Sequence, residues 1–225
     1  VQLLNINHRE HKGNHEGTRR TLWTNTNYMC GIAGIYSQNH NVKPHKETLK
    51  KMLAQISYRG PDECGIISSN HLLMGNVRLN IIDLEGGTQP ICDQTERYWI
   101  VFNGEIFNYI ELRDELEKKG CYFKTQSDTE VLVQLYALYG EKALSKLNGQ
   151  FAFAIWDKKT GDVFLARDRV GIRPLYYSWY KGSFLFGSEI KSILQFFKTS
   201  PEINPQALHQ IFTFWAPLTP NTIFK

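Results

Sequence analysis

Apolar residues recur along the chain in two rhythms. Leu49, Met52, Leu53 and Ile56 fall three and four apart, which predicts an amphipathic helix over 44–56. Tyr109, Leu112 and Leu116 repeat that spacing and stop at Gly120. Val131, Leu132, Leu135 and Leu138 repeat it again, with Ser127 or Asp128 placed to cap the start and Gly140 the end. Short apolar runs predict strands at 32–37, 65–68, 72–77 and 98–102. Four more, close-set, fall at 151–157, 163–167, 175–179 and 183–186. Lys159-Thr160-Gly161-Asp162 and Lys181-Gly182 supply turns between them, the spacing of an antiparallel meander. Gly60-Pro61-Asp62 breaks the chain after the first helix. Residues 188–196 and 205–212 read as two further helices, and 213–225, with Pro217 and Pro220, as a connection. Groups of strands interleaved with helices predict an α+β fold with two antiparallel sheets packed together and covered by helices.

Residues 1–28 break the pattern. The stretch from His8 to Gly17 is polar and follows neither rhythm, so it reads as disordered. Met29 is the first methionine, and the dense pattern begins there. A translation start at Met29, a leader that is later cleaved, and a permanent extension are the three readings of what precedes it. The resulting divisions are a leader with a removable Met over 1–29, one domain over 30–196, and a connection over 197–225.

Composition changes this picture little. Apolar residues make up 42% of the 225 and charged residues 21%, ordinary for a globular protein. A net charge of +4 without a dense Lys/Arg stripe argues against a nucleic-acid surface. No apolar run reaches the length of about 20 that crosses a bilayer. The four cysteines, Cys30, Cys64, Cys92 and Cys121, show no CxxC and no Cys/His pairing at metal-ligand spacing, so no metal site is expected. Reduced thiols in a cytoplasmic protein follow. His71 and His209 are too isolated to carry a role.

Cys30 differs from the other cysteines by its neighbours. In Met29-Cys30-Gly31-Ile32, removal of the methionine makes Cys30 the N-terminus, with its α-amine beside its own thiol. That amine has a reference pKa of about 7.7–8.0, so a useful fraction is free base at neutral pH. Nucleophile and base then come from one residue, without a catalytic His.

Further motifs follow in order: Arg59-Gly60-Pro61-Asp62, Arg78-Leu79-Asn80-Ile81-Ile82-Asp83, Asn103-Gly104-Glu105-Ile106-Phe107-Asn108 and Ser127-Asp128-Thr129-Glu130. Phe151–Asp157, Ala166-Arg167-Asp168-Arg169, Gly171-Ile172-Arg173-Pro174 and Ser188-Glu189-Ile190-Lys191 complete the series. From Met29 onward this resembles the class II, N-terminal-nucleophile glutamine amidotransferases. Within them it is most similar to the glutaminase half of glutamine-hydrolysing asparagine synthetases.

The resemblance implies a four-layer α/β/β/α sandwich, and it implies roles that make chemical sense. Free glutamine carries a carboxylate, an ammonium and an amide. Arg78 matches the arginine that grips the carboxylate, where a planar guanidinium pairs bidentately, with Ile81 and Ile82 lining that contact through their backbone. Asp128 matches the carboxylate that holds the ammonium, with Glu105 nearby. Asn103 and Gly104 match the oxyanion hole, and Cys30 the nucleophile. Seen alone, Asn103-Gly104 is a turn dipeptide and Asp128 a helix cap; their occurrence in family order decides for the site. Arg59 and Asp62 read as loop-structuring, Phe151–Asp157 as core, 167–169 as a scaffold ion-pair cluster, and Cys64, Cys92 and Cys121 as inert thiols.

Asn80 stands where many relatives have Ser, and Arg173 replaces a common Lys. With 1–28 attached, Cys30 has no free amine, and the uncut chain is expected to be inactive. No pyrophosphate-binding Ser-Gly-Gly loop occurs in the chain, so this piece is expected to need no cofactor. ATP and Mg²⁺ belong to the full-length enzyme. The partners implied are glutamine and a C-terminal synthetase domain in cis, and there is room for a homodimer. Two rivals stay open: a class II amidotransferase with another acceptor, and a catalytically silent domain that binds glutamine or regulates a partner.

Overall fold

The structure, a computed structural model, describes residues 4–5, 30–39, 41–79, 86–199, 201–218 and 222–224. Among them the strands are β1 Leu4–Asn5, β2 Gly31–Tyr36, β3 Glu63–Ser68, β4 Leu72–Arg78, β5 Ile91–Cys92, β6 Tyr98–Ile106, β7 Gly149–Asp157, β8 Val163–Arg167, β9 Tyr176–Tyr180 and β10 Ser183–Gly187. The helices are α1 Lys46–Ala54, α2 Tyr109–Lys118, α3 Asp128–Tyr139, α4 Ile190–Ile193 and α5 Pro205–Phe214. One sheet has the order β1-β3-β4-β2-β10-β9 and the other β5-β6-β7-β8, with every pairing antiparallel.

Alternation along the strands builds the layers. On β6 and β7, Ile100, Phe102, Phe151, Phe153 and Ile155 join one core with Leu112 and Leu116 of α2 and with Val131 and Leu135 of α3. The alternate residues Trp99, Val101, Ala154 and Trp156 join a second core with Ile32, Ile67, Met74 and Phe186 of the other sheet. That sheet turns Ala33, Ile35, Leu73 and Leu185 outward onto Leu49, Met52 and Leu53 of α1. Helix, sheet, sheet, helix is the expected four-layer order. Truncating a fully buried ring in such a core costs about 3–5 kcal/mol, and Phe153 is such a ring.

The same parity positions the chemistry. A two-residue period puts Asn103 and Glu105 on the inter-sheet face of β6 with Trp99 and Val101. It puts Asn76 and Arg78 on the inter-sheet face of β4 with Leu72 and Met74. Cys30 precedes β2 in step with Ile32. The candidate residues therefore gather at one end of the layer between the sheets.

Some elements differ from their predicted form. The helix expected over 44–56 opens with a 3-10 turn, Lys43–His45, and α1 proper starts at Lys46. The helix expected over 188–196 is α4 followed by a 3-10 turn at Leu194–Phe196. The strand expected at 98–102 runs to Ile106, because all nine of its residues have partners on β7. α5 ends where Trp215 adopts a left-handed conformation. Strand β5 is too short to carry a periodic signal. Of the leading segment, residues 4–5 pair with β3, and the polar stretch from His8 to Gly17 lies outside the described residues.

Candidate active site

Cys30 reaches the cleft from the start of β2. Its Sγ accepts the Leu79 N–H at 3.4 Å and lies 3.8 Å from the Leu79 carbonyl, to which the thiol can donate. Burial pushes the thiol pKa up, while the Leu79 backbone and the Arg78 charge pull it down. At rest the thiol is therefore held protonated, and a base must take its proton on attack.

Arg78 ends β4 and is buried, its Nη1 3.0 Å from the Glu63 carboxylate on the neighbouring strand. Glu63 is the register partner of Arg78, so the pair follows directly from β3–β4 alignment. Behind it, Gly60 lies so close to β4 that an added Cβ would stand 2.5 Å from the Arg78 nitrogen. Only glycine allows that approach, and it carries the preceding Arg59 up to Cys30. Arg59 Nε donates to the Cys30 carbonyl at 3.2 Å.

Asp128 opens α3 next to its N-cap Ser127, whose hydroxyl accepts the Thr129 N–H at 3.1 Å. One Asp128 carboxylate oxygen accepts the Ile106 N–H at 3.1 Å. Burial nevertheless raises its pKa to about 6, and the Glu105 charge adds to the rise. An ionised carboxylate held in that setting favours a cation placed against it.

Cys30, Arg78, Gly104, Glu105 and Asp128 line one cleft, which opens to solvent. Asn103 sits just behind the wall. Its side chain is fully buried, and neither the amide nitrogen nor the oxygen has a hydrogen-bond partner among the described residues. Buried amides are normally satisfied, and Asn76 on the inter-sheet face of β4 shows the same lack of partners among the described residues. Ile81 and Ile82, expected to line the carboxylate contact, lie outside the described residues, as does Asn80.

Two residues at the site carried little sequence signal. Gln89 lines the cleft, accepts the Phe102 N–H at 2.7 Å and donates to the Thr129 hydroxyl at 3.2 Å, tying β6 to α3. Arg59 reads as a loop residue in the sequence, whereas its guanidinium bonds the Cys30 backbone. The 167–169 cluster is scaffold, but through backbone: Asp168 accepts the Phe151, Ile172 and Arg173 N–H groups at 2.8–3.2 Å. Arg167 Nε donates to the Arg173 carbonyl at 2.7 Å. The expected ion pairing within the cluster is not seen among the described residues.

The family model described as a glutamine amidotransferase domain matches residues 29–225. This chain belongs to that family. As a glutamine amidotransferase domain it is 45% identical over 197 residues to asparagine synthetase [glutamine-hydrolyzing] 1 of Bacillus subtilis, covering 87% of the chain and 31% of the relative. It is 37% identical over 180 residues to the amidase chry2 of Gibberella zeae, covering 75% of the chain and 27% of that protein. The domain thus spans about a third of the length of such relatives. Its fold matches a glutamine phosphoribosylpyrophosphate amidotransferase from B. subtilis with a TM-score of 0.61 at 24% identity, over 73% of this chain and 43% of that one. The N-terminal-nucleophile fold expected of this amidotransferase domain is the one found. All four cysteines are free thiols. Among the described residues no helix is long and apolar enough to cross a membrane, and no cluster of His, Cys, Asp or Glu could hold a metal.

Proposed function

We propose that this domain hydrolyses glutamine to glutamate and ammonia with Cys30 as an N-terminal nucleophile. The observation that carries the reading is the convergence of Cys30, Arg78 and Asp128 on one cleft, from β2, β4 and α3. A thiol, a guanidinium and a carboxylate answer the amide, carboxylate and ammonium of one amino acid. Arg78 takes the α-carboxylate and Asp128 the α-ammonium, which leaves the side-chain amide over Cys30. Sγ attacks the amide carbon, and the free α-amine of Cys30 accepts the thiol proton and passes it to the departing nitrogen. Asn103 and the Gly104 N–H receive the charge that develops on oxygen. Water then cleaves the γ-glutamyl thioester and frees glutamate and Cys30.

We propose further that a C-terminal domain in cis uses ATP and Mg²⁺ to amidate aspartate with the ammonia, in the cytoplasm; what supports a further domain is that the chain spans about a third of relatives named glutamine-hydrolyzing asparagine synthetases. Exposed Phe212, Phe214 and Trp215 on and beside α5 offer apolar surface for such a domain. The test is glutamate release by a version started at Met29, with loss of Met29 confirmed by mass, beside Cys30→Ala. Activity that disappears in the variant supports the nucleophile. Equal release by both would end the reading.

A silent glutamine-binding domain is the second reading. The pairing of residues 4–5 with β3 favours it, since it gives the leading segment a place on the folded domain. Glutamine binding without hydrolysis, by protein whose mass includes residues 1–28, would decide for it.

A further inference from the structure

Next to Cys30, among residues that do not line the cleft, lies a charged cluster that the proposed chemistry does not use. The Glu189 carboxylate accepts from Arg59 Nη1 at 2.9 Å and from the Tyr58 hydroxyl, and it pairs with Lys191 Nζ at 3.1 Å. Lys191 also stacks its ammonium over the Tyr58 ring at 4.3 Å. Arg59, so held, donates its Nε to the Cys30 carbonyl. The Arg59 and Glu189 side chains are only 12% and 20% exposed, so their interaction is screened less than that of a surface pair.

The neighbouring Ser188 grips the same strand. Its Oγ accepts the Ile32 N–H and its N–H donates to the Ile32 carbonyl, both at 2.9 Å. Residues 188 and 189 therefore fix two successive parts of the backbone that carries the nucleophile: Ile32 directly, and Cys30 through Arg59. A residue at a chain start has one covalent anchor, and a bond to its carbonyl restricts where its thiol and amine point.

We infer that Glu189 is a positioning residue for Cys30, acting through Arg59 and cancelling the guanidinium charge beside the nucleophile. The other charges around Cys30 are Arg78 from β4, Asp128 from α3, Glu105 from β6 and Arg173 from the loop after β8, with Glu63 already paired to Arg78. None of them contacts Glu189 by a hydrogen bond or ion pair among the described residues. Removing the Glu189 charge thus leaves two cations uncompensated, Lys191 and, bonded to the Cys30 carbonyl, Arg59, with no residue that lines the cleft replaced.

The sign of the effect follows. An uncompensated guanidinium favours the thiolate and disfavours the protonated α-amine, lowering both pKa values. A residue that only packed would shift neither. The inference deepens the proposed function, but its first test does not depend on hydrolysis. The alkylation rate of Cys30 by iodoacetamide is measured against pH, with peptide mass spectrometry separating it from Cys64, Cys92 and Cys121. In the whole chain, Glu189→Gln moves the midpoint to lower pH by about half a unit or more. Glu189→Asp restores it.

Lys191→Met, at a side chain 46% exposed, folds where Glu189→Gln fails and moves the midpoint the other way by a smaller amount. In protein with a free Cys30 amine, Glu189→Gln lowers kcat about tenfold with KM within twofold, because no substrate contact changes. Unmoved alkylation profiles in the folded variants would overturn the inference even if glutamine hydrolysis held. Shifted profiles without any glutamate release would uphold it and remove the proposed activity instead.

Discussion

The β6–β7 ribbon ends in two different ways. At the turn end, where Tyr98 faces Asp157, the polar groups are satisfied by the chain. Asp157 takes Arg97 Nε and Nη2 at 3.0 and 2.6 Å and the Lys159 N–H at 2.8 Å. Asp93 takes the N–H groups of Thr95, Arg97 and Tyr98 at 2.7–3.0 Å. At the other end Asn103 has no partner among the described residues, and Asp128, across from Ile106, holds its proton up to about 6. Asp157 is pulled down to about 2, chiefly by its Arg97 bonds. Two aspartates, one ending β7 and one opening α3 beside β6, are thus pushed in opposite directions by their surroundings. The difference separates polar groups that the chain satisfies from polar groups that it leaves unsatisfied or desolvated, as the proposed glutamine site requires.

The comparison breaks most sharply at the nucleophile. Cys30→Ala is expected to reduce glutamate release by at least about a thousandfold, read as kcat on protein with a free N-terminal residue 30. Asn103→Ala comes next, with a loss of about 10²–10³ in kcat. Its melting temperature should hold or rise, because no internal hydrogen bond disappears and an orphaned buried amide does. A melting temperature lowered as far as for a core truncation, with kcat intact, would move Asn103 to the satisfied class and erase the contrast between the ends.

Asp128 sharpens the contrast through pH. Its carboxylate must be charged to hold an ammonium, so KM for glutamine should rise as pH falls through about 6. Asp128→Asn should raise KM roughly tenfold at neutral pH, as expected for a charge-assisted contact, and should flatten that rise. Stability carries the opposite sign from a paired carboxylate. The folded pKa lies above the unfolded one, so stability is highest at acid pH and falls as pH climbs from about 4 to about 6. Denaturation of Asp128→Asn across that window should lack the fall. A KM profile that is level in the parent protein would remove Asp128 from substrate binding.

Much of this was legible in the chain, and the failures share a cause. Helix α3 was plain because its cap, apolar face and terminal Gly140 are all local, and Ser127 does cap it. Strands β3 and β4 were found because each is a single apolar run. The strand read over 98–102 stops short of Asn103-Gly104, in isolation a turn dipeptide, yet here it continues β6, with Ala152 and Phe151 as partners on β7. Pairing with a strand 45 or more positions away overrode the local preference. Arg59 looked like a loop residue because its carboxylate partner, Glu189, stands 130 positions further on. Gln89 had no signal beyond a Gln-Pro step, since its role is to bridge β6 and α3. Periodicity and motif order carry what neighbours decide, and side-chain networks across the sandwich are decided elsewhere.

The smallest expected effect belongs to the satisfied end. Arg97→Met should leave kcat and KM within twofold, because Arg97 borders Tyr98 and Asp157 and touches nothing in the cleft. It should lower the denaturant midpoint only slightly, because Arg97 is 38% open to solvent and an exposed pair is screened, even though Asp157 is only 13% exposed. The cost must depend on pH in a defined way. Asp157 is depressed below its unfolded value, so the pair's contribution is complete above about 4 and is lost as pH falls towards about 2. Parent and variant should therefore differ in denaturant midpoint at pH 7 and converge near pH 2. High salt should narrow the gap at pH 7 as well. A difference that survives both acid and salt would mean that the Arg97 stem over the Tyr98 ring, rather than the ion pair, stabilises this end. The turn end would then be held by packing, and its contrast with the cleft would rest on Asp93 and the backbone groups it caps.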